Sequence, residues 1–298
     1  MKKRIIFDAD LTMGVADCDV DDGLALLFAL GYEKENPGSA VIEGLCTSYG
    51  NSTLEVVYAN TKKVCCDLAL DVPVLKGAQD KDHPESEAAH FLVEKAQASP
   101  GEISLCVTGS TTNLKGALLL DDQVLSKFRE IAFMGSITQS LVFNGKIMDE
   151  LNFSCDPEAS CMALASANRG AHITVMTANN CLPAHFMPDE FARRLMTNED
   201  DGGYLYRTCR PWFETMKRWY GIDGFCCWDV LASAYLLEPG LFIDEPFDIT
   251  LNPTLLKAGF LERSHEGAPS ARINAPRIAD PRAFCERAYQ MWQLGIAV

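Results

Sequence analysis

No lysine or arginine cluster in this chain exceeds residues 2–4 or the pair Lys62 and Lys63, and the formal charge of the 298 residues is -15. A protein that follows a phosphate backbone needs a basic stripe, so nucleic acid is excluded as a partner. Also missing is an apolar run of about 18 residues, the least that crosses a membrane as a helix. The basic start MKKR runs straight into IIFDAD with no signal-peptide core behind it. The expectation is a cytoplasmic chain without membrane contact. Cysteine is plentiful, but the twelve residues form no Cys-x-x-Cys. Two adjacent pairs, Cys65/Cys66 and Cys226/Cys227, and others within apolar segments read as buried thiols, not as a disulfide framework or a zinc site. Internal repeats, low-complexity tracts and long linkers are lacking too, so residues 1–298 are expected to form a single domain.

What is there is concentrated first in residues 4–30. Ile5, Ile6 and Phe7 read as a short buried strand, and the run from Asp21 or Asp22 through Leu30 as the start of a packed helix. Between them stand Asp8, Asp10, Asp17, Asp19, Asp21 and Asp22. Carboxylates so close together repel one another and lose solvation in a cleft, which points to a cation among them. A calcium hand needs Gly and Glu at fixed places in its loop, and counting from Asp17 those places hold Asp22 and Phe28. Oxygen-only ligation still favours calcium or magnesium over zinc.

Further along, strands are expected at 40–46, 72–77, 103–109, 130–135 and 172–177, and near PFDITLN at 246–252. Helical patterns occupy 54–68, 87–97 and the run from Pro157 to Asn168, which Asp156 can cap. Residues 137–154 read as irregular. From 188 to 221 the pattern is helical again, with cations on an aromatic-rich surface; a helix is expected near Asp229 and a terminal one over 284–294. Continuous apolar strands alternating with helices predict an α/β fold with a mostly parallel central sheet flanked by helices.

The motifs, in their order along the chain, resemble the inosine-uridine preferring nucleoside hydrolase family. That family opens on DTDPGxDDA; Asp8, Asp10, Asp21 and Asp22 supply its carboxylates here, with several extra residues between the two pairs. Gly50 and Asn51 match its GN, GSTTN (109–113) its GPLTN, and Met134, Gly135 and Ser136 its MGG. Asn144, then Glu150, Leu151 and Asn152, then DPEA (156–159) and WDVLASAY (228–235) match the rest.

The resemblance implies a calcium-dependent enzyme that cleaves ribonucleosides to ribose and free base. Asp10, Asp22, Asp229 and the carbonyl of Thr112 would hold calcium, with Asp10 also the general base. Asp21, Asn51, Asn144, Glu150 and Asn152 would hold the sugar, and Met134 would lie under it. Asn144 beside Gly145 also reads simply as a turn. Where members that accept both base classes carry His, this chain has Trp228, which cannot act as an acid but can stack on a base; purine nucleosides are therefore expected to be slightly favoured. His83, His90 and His185 are the alternative proton donors. The partner would be a small nucleoside, and a homo-oligomer is compatible with the sequence. Two rivals stand beside this reading. FDADLTM also resembles the opening of haloacid-dehalogenase-like, magnesium-dependent phosphatases, and a calcium-dependent ribose or nucleoside binder without turnover would keep the same pocket.

Overall fold

The computed structural model describes residues 2–196 and 201–296. The chain opens with β1 (Lys3–Ala9), α1 (Asp21–Glu35), β2 (Ala40–Thr47), α2 (Leu54–Asp67), β3 (Val74–Leu75), α3 (Glu87–Ala98), β4 (Ile103–Val107), α4 (Thr112–Leu120) and β5 (Glu130–Met134). A hairpin of β6 (Leu141–Phe143) and β7 (Lys146–Met148) precedes α5 (Pro157–Ala165) and β8 (Ile173–Met176). Then come α6 (Ala178–Cys181), β9 (His185–Phe186), α7 (Pro188–Leu195), the long α8 (Asp201–Tyr220), β10 (Phe225–Cys226) and α9 (Val230–Leu237). The chain ends through β11 (Phe242–Ile243), β12 (Pro246–Thr250), α10 (Pro253–Leu256), β13 (Ser270–Asn274), β14 (Arg277–Ile278) and α11 (Pro281–Ile296).

Eight strands form one sheet in the order β12-β13-β8-β5-β4-β1-β2-β3. All neighbours pair in parallel except β12 with β13. The expected α/β architecture is therefore present, with β1 inside the sheet. Its side chains alternate between two cores, as a strand covered on both faces must. Ile5 and Phe7 join α1, α9 and α11 on one face, while Ile6 joins α3, α4 and α5 on the other. Because β2 and β4 flank β1 on opposite sides, the order of strands reverses there, and the gap beyond their carboxyl ends is where such sheets place ligands.

Several boundaries depart from the sequence reading for local reasons. The strand expected at 72–77 shrinks to β3, since Pro73 has no N–H and contributes to the ladder only through its carbonyl, to Leu45. The irregular segment contains the β6–β7 hairpin, whose turn residues Asn144 and Gly145 have φ of 50° and 78°. A turn with both residues in the left-handed region suits a two-residue hairpin, and Asn and Gly tolerate it best. The terminal helix starts earlier than expected because Asp280 accepts the N–H groups of Arg282 and Ala283. Strand β13 has no counterpart in the sequence reading. Of the helical reading over 188–221, residues 197–200 lie outside the described residues. No helix among the described residues is long and apolar enough to cross a membrane.

Candidate active site

The carboxylates of the site are delivered by the carboxyl end of a strand or the segment that follows it. Asp8 and Asp10, on and just beyond β1, are fully buried, and Asp21 and Asp22 start α1 with almost no exposure. Asp229, immediately before α9, is buried beside them. Oδ2 of Asp10 accepts the main-chain N–H of Asn51 at 2.5 Å, and Oδ1 faces the Asn51 amide at 3.2 Å. Gly50 is required for this approach, because a Cβ there would stand 2.0 Å from Oδ2 of Asp10. Thr108 donates to Asp22 at 2.6 Å, and the main-chain N–H groups of Trp228 and Asp229 donate to one oxygen of Asp21 at 3.0 and 3.1 Å. Beneath them Asn113 donates to Asp8 at 2.7 Å and to the Thr47 carbonyl at 3.0 Å, leaving Oδ2 of Asp8 buried without a hydrogen-bond partner.

Burial sets the electrostatics. It pushes the Asp8 carboxyl up to about 8 and that of Asp10 up to about 6. Asp22 and Asp229 are pushed well above the ordinary carboxylate range by burial first and by neighbouring aspartates second. The charges of Asp10 and Asp21 raise Asp22, and those of Asp21 and Asp22 raise Asp229. Asp229 also feels the charge of Asp10, although the two are 219 positions apart in sequence. Among the described residues no three His, Cys, Asp or Glu side chains stand in a ready metal cage. Their chemistry nonetheless suits a hard cation, since the donors are all oxygen, buried and mutually repelling.

A cavity of about 190 Å³ opens against this cluster. Asp21, Asn51, Met134, Glu150, Asn152, Trp228 and Asp229 line it, so the structure brings these sequence-expected residues together. Asp10, Asp22 and Thr112 are not among the lining residues. Glu150 is held by the main-chain N–H groups of Ser136, Phe153 and Ser154 at 3.0, 2.7 and 2.9 Å, although burial still raises its carboxyl. Asn152 donates to the Met134 carbonyl at 3.1 Å. The hydroxyl of Thr112 engages Asp156 and Tyr49 at 3.0 and 2.8 Å. Asn144 stands apart from the cavity, its amide donating to the Tyr220 and Gly221 carbonyls, both at 2.9 Å.

The histidines named from sequence do not line the cavity. His83 is exposed and paired with Asp80 at 2.8 Å, and His90 is exposed 3.6 Å from Glu85. His185 pairs with Cys226 across β9 and β10, and burial lowers its pKa. Sequence reading missed part of the lining. Trp212, Met216, Trp219 and Tyr220 of α8 face the cavity together with Leu141 and Met148 of the hairpin. Their spacing along α8 is one helical stripe, and that periodicity was the available signal. Asp19, from the enlarged loop after β1, lines the cavity as well.

The sequence profile described as inosine-uridine preferring nucleoside hydrolase matches residues 5–284. A relative from Oryza sativa subsp. japonica named probable uridine nucleosidase 2 is 27% identical over 272 residues, covering 81% of this chain and 76% of that protein. Among solved structures, a plant nucleoside hydrolase, PpNRh1, superposes with a TM-score of 0.81 at 20% identity, covering 100% of both chains. A purine-preferring ribonucleoside hydrolase from Gardnerella vaginalis gives 0.80 at 19% identity, covering 98% of this chain and 99% of that one. With the profile spanning almost the whole sequence, the chain belongs to the inosine-uridine preferring nucleoside hydrolase family and is an enzyme of the nucleoside-hydrolase type.

Proposed function

We propose that this enzyme hydrolyses the N-glycosidic bond of ribonucleosides with calcium as cofactor, giving ribose and free base, and that it favours purine nucleosides. The observation that carries the reading is one cavity lined by two unlike kinds of side chain. Asp21, Asn51, Asn152 and Asp229 offer carboxylates and amides, while Trp212, Trp219, Tyr220 and Trp228 offer aromatic faces. A ribose is a polyol and a nucleobase a flat π system, so each half of a nucleoside meets a matching surface.

Asp10, Asp22, Asp229 and the Thr112 carbonyl are the groups that would hold calcium. Calcium, when bound there, supplies a fixed positive charge for vicinal hydroxyls and for the attacking water. Asp10 takes a proton from that water as it adds to the anomeric carbon. Asp21, Asn51 and Asn152 bind sugar hydroxyls, Met134 gives the ring an apolar seat, and Glu150, fixed by three N–H groups, opposes the positive charge that develops on the sugar. Asn144 reaches a sugar only by leaving the two carbonyls it now caps. A purine covers more of an indole than a pyrimidine does, and aromatic pairing is worth about 0.5 to 1.5 kcal/mol beyond area burial.

The test is base release from inosine, adenosine, uridine and cytidine, without phosphate, with calcium present and after chelation. Ribose and free base should appear only with calcium, faster from the purine nucleosides. Faster release from uridine, as the rice relative's name would suggest, would defeat the purine preference. No release from any of them would defeat the hydrolytic reading.

A further inference from the structure

The breaking C–N bond leaves its electron pair on the base, and a neutral base departs only if it gains a proton. The cavity lining includes no His, Lys, Arg or Cys, and indole has no acidic proton to spare. Its proton-bearing candidates are carboxyls and one phenol. Both oxygens of Glu150 accept main-chain N–H groups, which favours the carboxylate. Asp21 accepts two more N–H groups, Asp149 is exposed, and Asp229 belongs to the proposed calcium shell.

Asp19 is different. It is half-buried in the lining, its carbonyl is fixed by the Thr12 hydroxyl at 3.0 Å, and one carboxyl oxygen accepts the Val20 N–H at 2.6 Å. The loop that carries it is tied to α8, where Thr215 donates to Asp17 at 2.9 Å and Arg218 forms an ion pair with the same carboxylate. Asp19 accepts one main-chain N–H, against two on Asp21 and three on Glu150, so of these lining carboxyls it is the one least stabilised as an anion and best placed to hold a proton. Besides Asp21, the ionisable groups facing Asp19 are its neighbour Cys18, Cys209 of α8, and Cys226 and Cys227 at β10, none of them cationic. Its hydrogen-bond partners, Val20 and Thr12, include no proposed calcium ligand.

We propose that Asp19 is the general acid of this enzyme, donating its proton to the leaving base from the loop between β1 and α1. This rests on the hydrolytic reading above. As the C–N bond breaks, its electron pair passes to the base, and the Asp19 O–H gives its proton to a base nitrogen. Water adds to the anomeric carbon and loses a proton to Asp10. Ribose and neutral base leave, and the proton gained at Asp10 is returned through solvent to Asp19, which restores the starting state.

The experiment compares inosine with p-nitrophenyl β-D-ribofuranoside, whose leaving group departs as a stable anion without a proton. Asp19→Asn keeps the shape and removes the acid. Its kcat on inosine should fall by about 10² to 10⁴-fold, the usual worth of an acid or base, while p-nitrophenolate release changes by less than about threefold. Asp19→Ala should give the same contrast, and Tyr220→Phe should not. Equal losses on both substrates, no loss on inosine, or an inosine-specific loss in Tyr220→Phe instead would overturn the assignment to Asp19. A native protein that cleaves p-nitrophenyl riboside but no nucleoside would overturn Asp19 as an effective acid while leaving ribosyl hydrolysis standing. One that cleaves neither would overturn the hydrolytic reading and this proposal with it.

Discussion

Asp10→Asn removes the proposed base with almost no change of shape, and the surroundings of Asp10 let both halves of its effect be worked out. Asparagine retains one acceptor, so the 2.5 Å bond from the Asn51 main chain survives, while the 3.2 Å contact with the Asn51 amide survives only if that amide turns over. Losing one hydrogen bond to a charged group costs about 1.5 to 3 kcal/mol. Part of that is offset, because the substitution also takes one charge from a buried set of aspartates that already raise one another. The unfolding midpoint without calcium should therefore move by less than about 6 °C. Turnover should fall by about 10² to 10⁴-fold for the base alone, which is about 2.7 to 5.4 kcal/mol of barrier. Weaker cation binding adds to it. The assay is kcat/KM on inosine across a calcium titration, alongside thermal unfolding with and without calcium. Turnover within tenfold of native at saturating calcium would refute Asp10 as the base. A collapse of the midpoint with proportionate loss of activity would make it a folding residue.

Trp228→Ala should shrink the ratio of kcat/KM for inosine over uridine, and Trp228→Phe should largely preserve it; a ratio untouched by either would remove the indole from base recognition. Asn144→Ala should lower the unfolding midpoint by a few degrees, since it strips two hydrogen bonds from the end of α8 and puts alanine at a φ of 50°, each effect worth about 1 kcal/mol. A fall in inosine turnover above about 10²-fold with an unchanged midpoint would place Asn144 on the sugar instead, because lost caps act on stability. Gly50→Ala should abolish turnover while most of the fold remains, because its Cβ would displace the Asp10 carboxylate; normal activity in that variant would show the approach of 2.0 Å to be readily relieved.

Much of the sheet was legible because its signals are local. A strand such as ISLCV needs only its own apolar run and its turn residues to be recognised, and β4 occupies 103–107 within the expected span. The aspartates were legible for the same reason, standing where an apolar strand ends and a helix begins. What was not legible depends on which distant segments meet. Asn144 shows the difference: the resemblance points it at the sugar, whereas its own sequence beside Gly145 points to a turn, and the fold sets it in that turn against the end of α8. Ser136 is another case, standing where the resemblance has glycine. Its φ is 70°, which disfavours a side chain, yet its hydroxyl donates to the Gly259 carbonyl at 2.8 Å and its N–H holds Glu150. Those partners lie 123 and 14 positions away, so no local pattern announces them.

The same contrast separates the chemistry of this site from its selectivity. The carboxylates are anchored to the ends of buried parallel strands and to main-chain N–H groups, where small shifts would leave buried polar groups unpaired at about 1 to 3 kcal/mol each. The aromatic wall comes from α8 and the β6–β7 hairpin, outside the main sheet, where Trp219 is 40% exposed and Val142 and Ile147 are 57% and 65% exposed. Trp219 can change there with little cost to the core, whereas Trp212, Met216 and Leu141 are packed into it. Loss of a carboxylate should thus abolish turnover on every nucleoside, whereas changes along α8 should reorder the bases that are accepted. The enlarged loop after β1 joins the two regions, tied to α8 through Asp17 and to the carboxylates through Asp19. Its position makes it the element through which a change of base preference would reach the proton-transfer step.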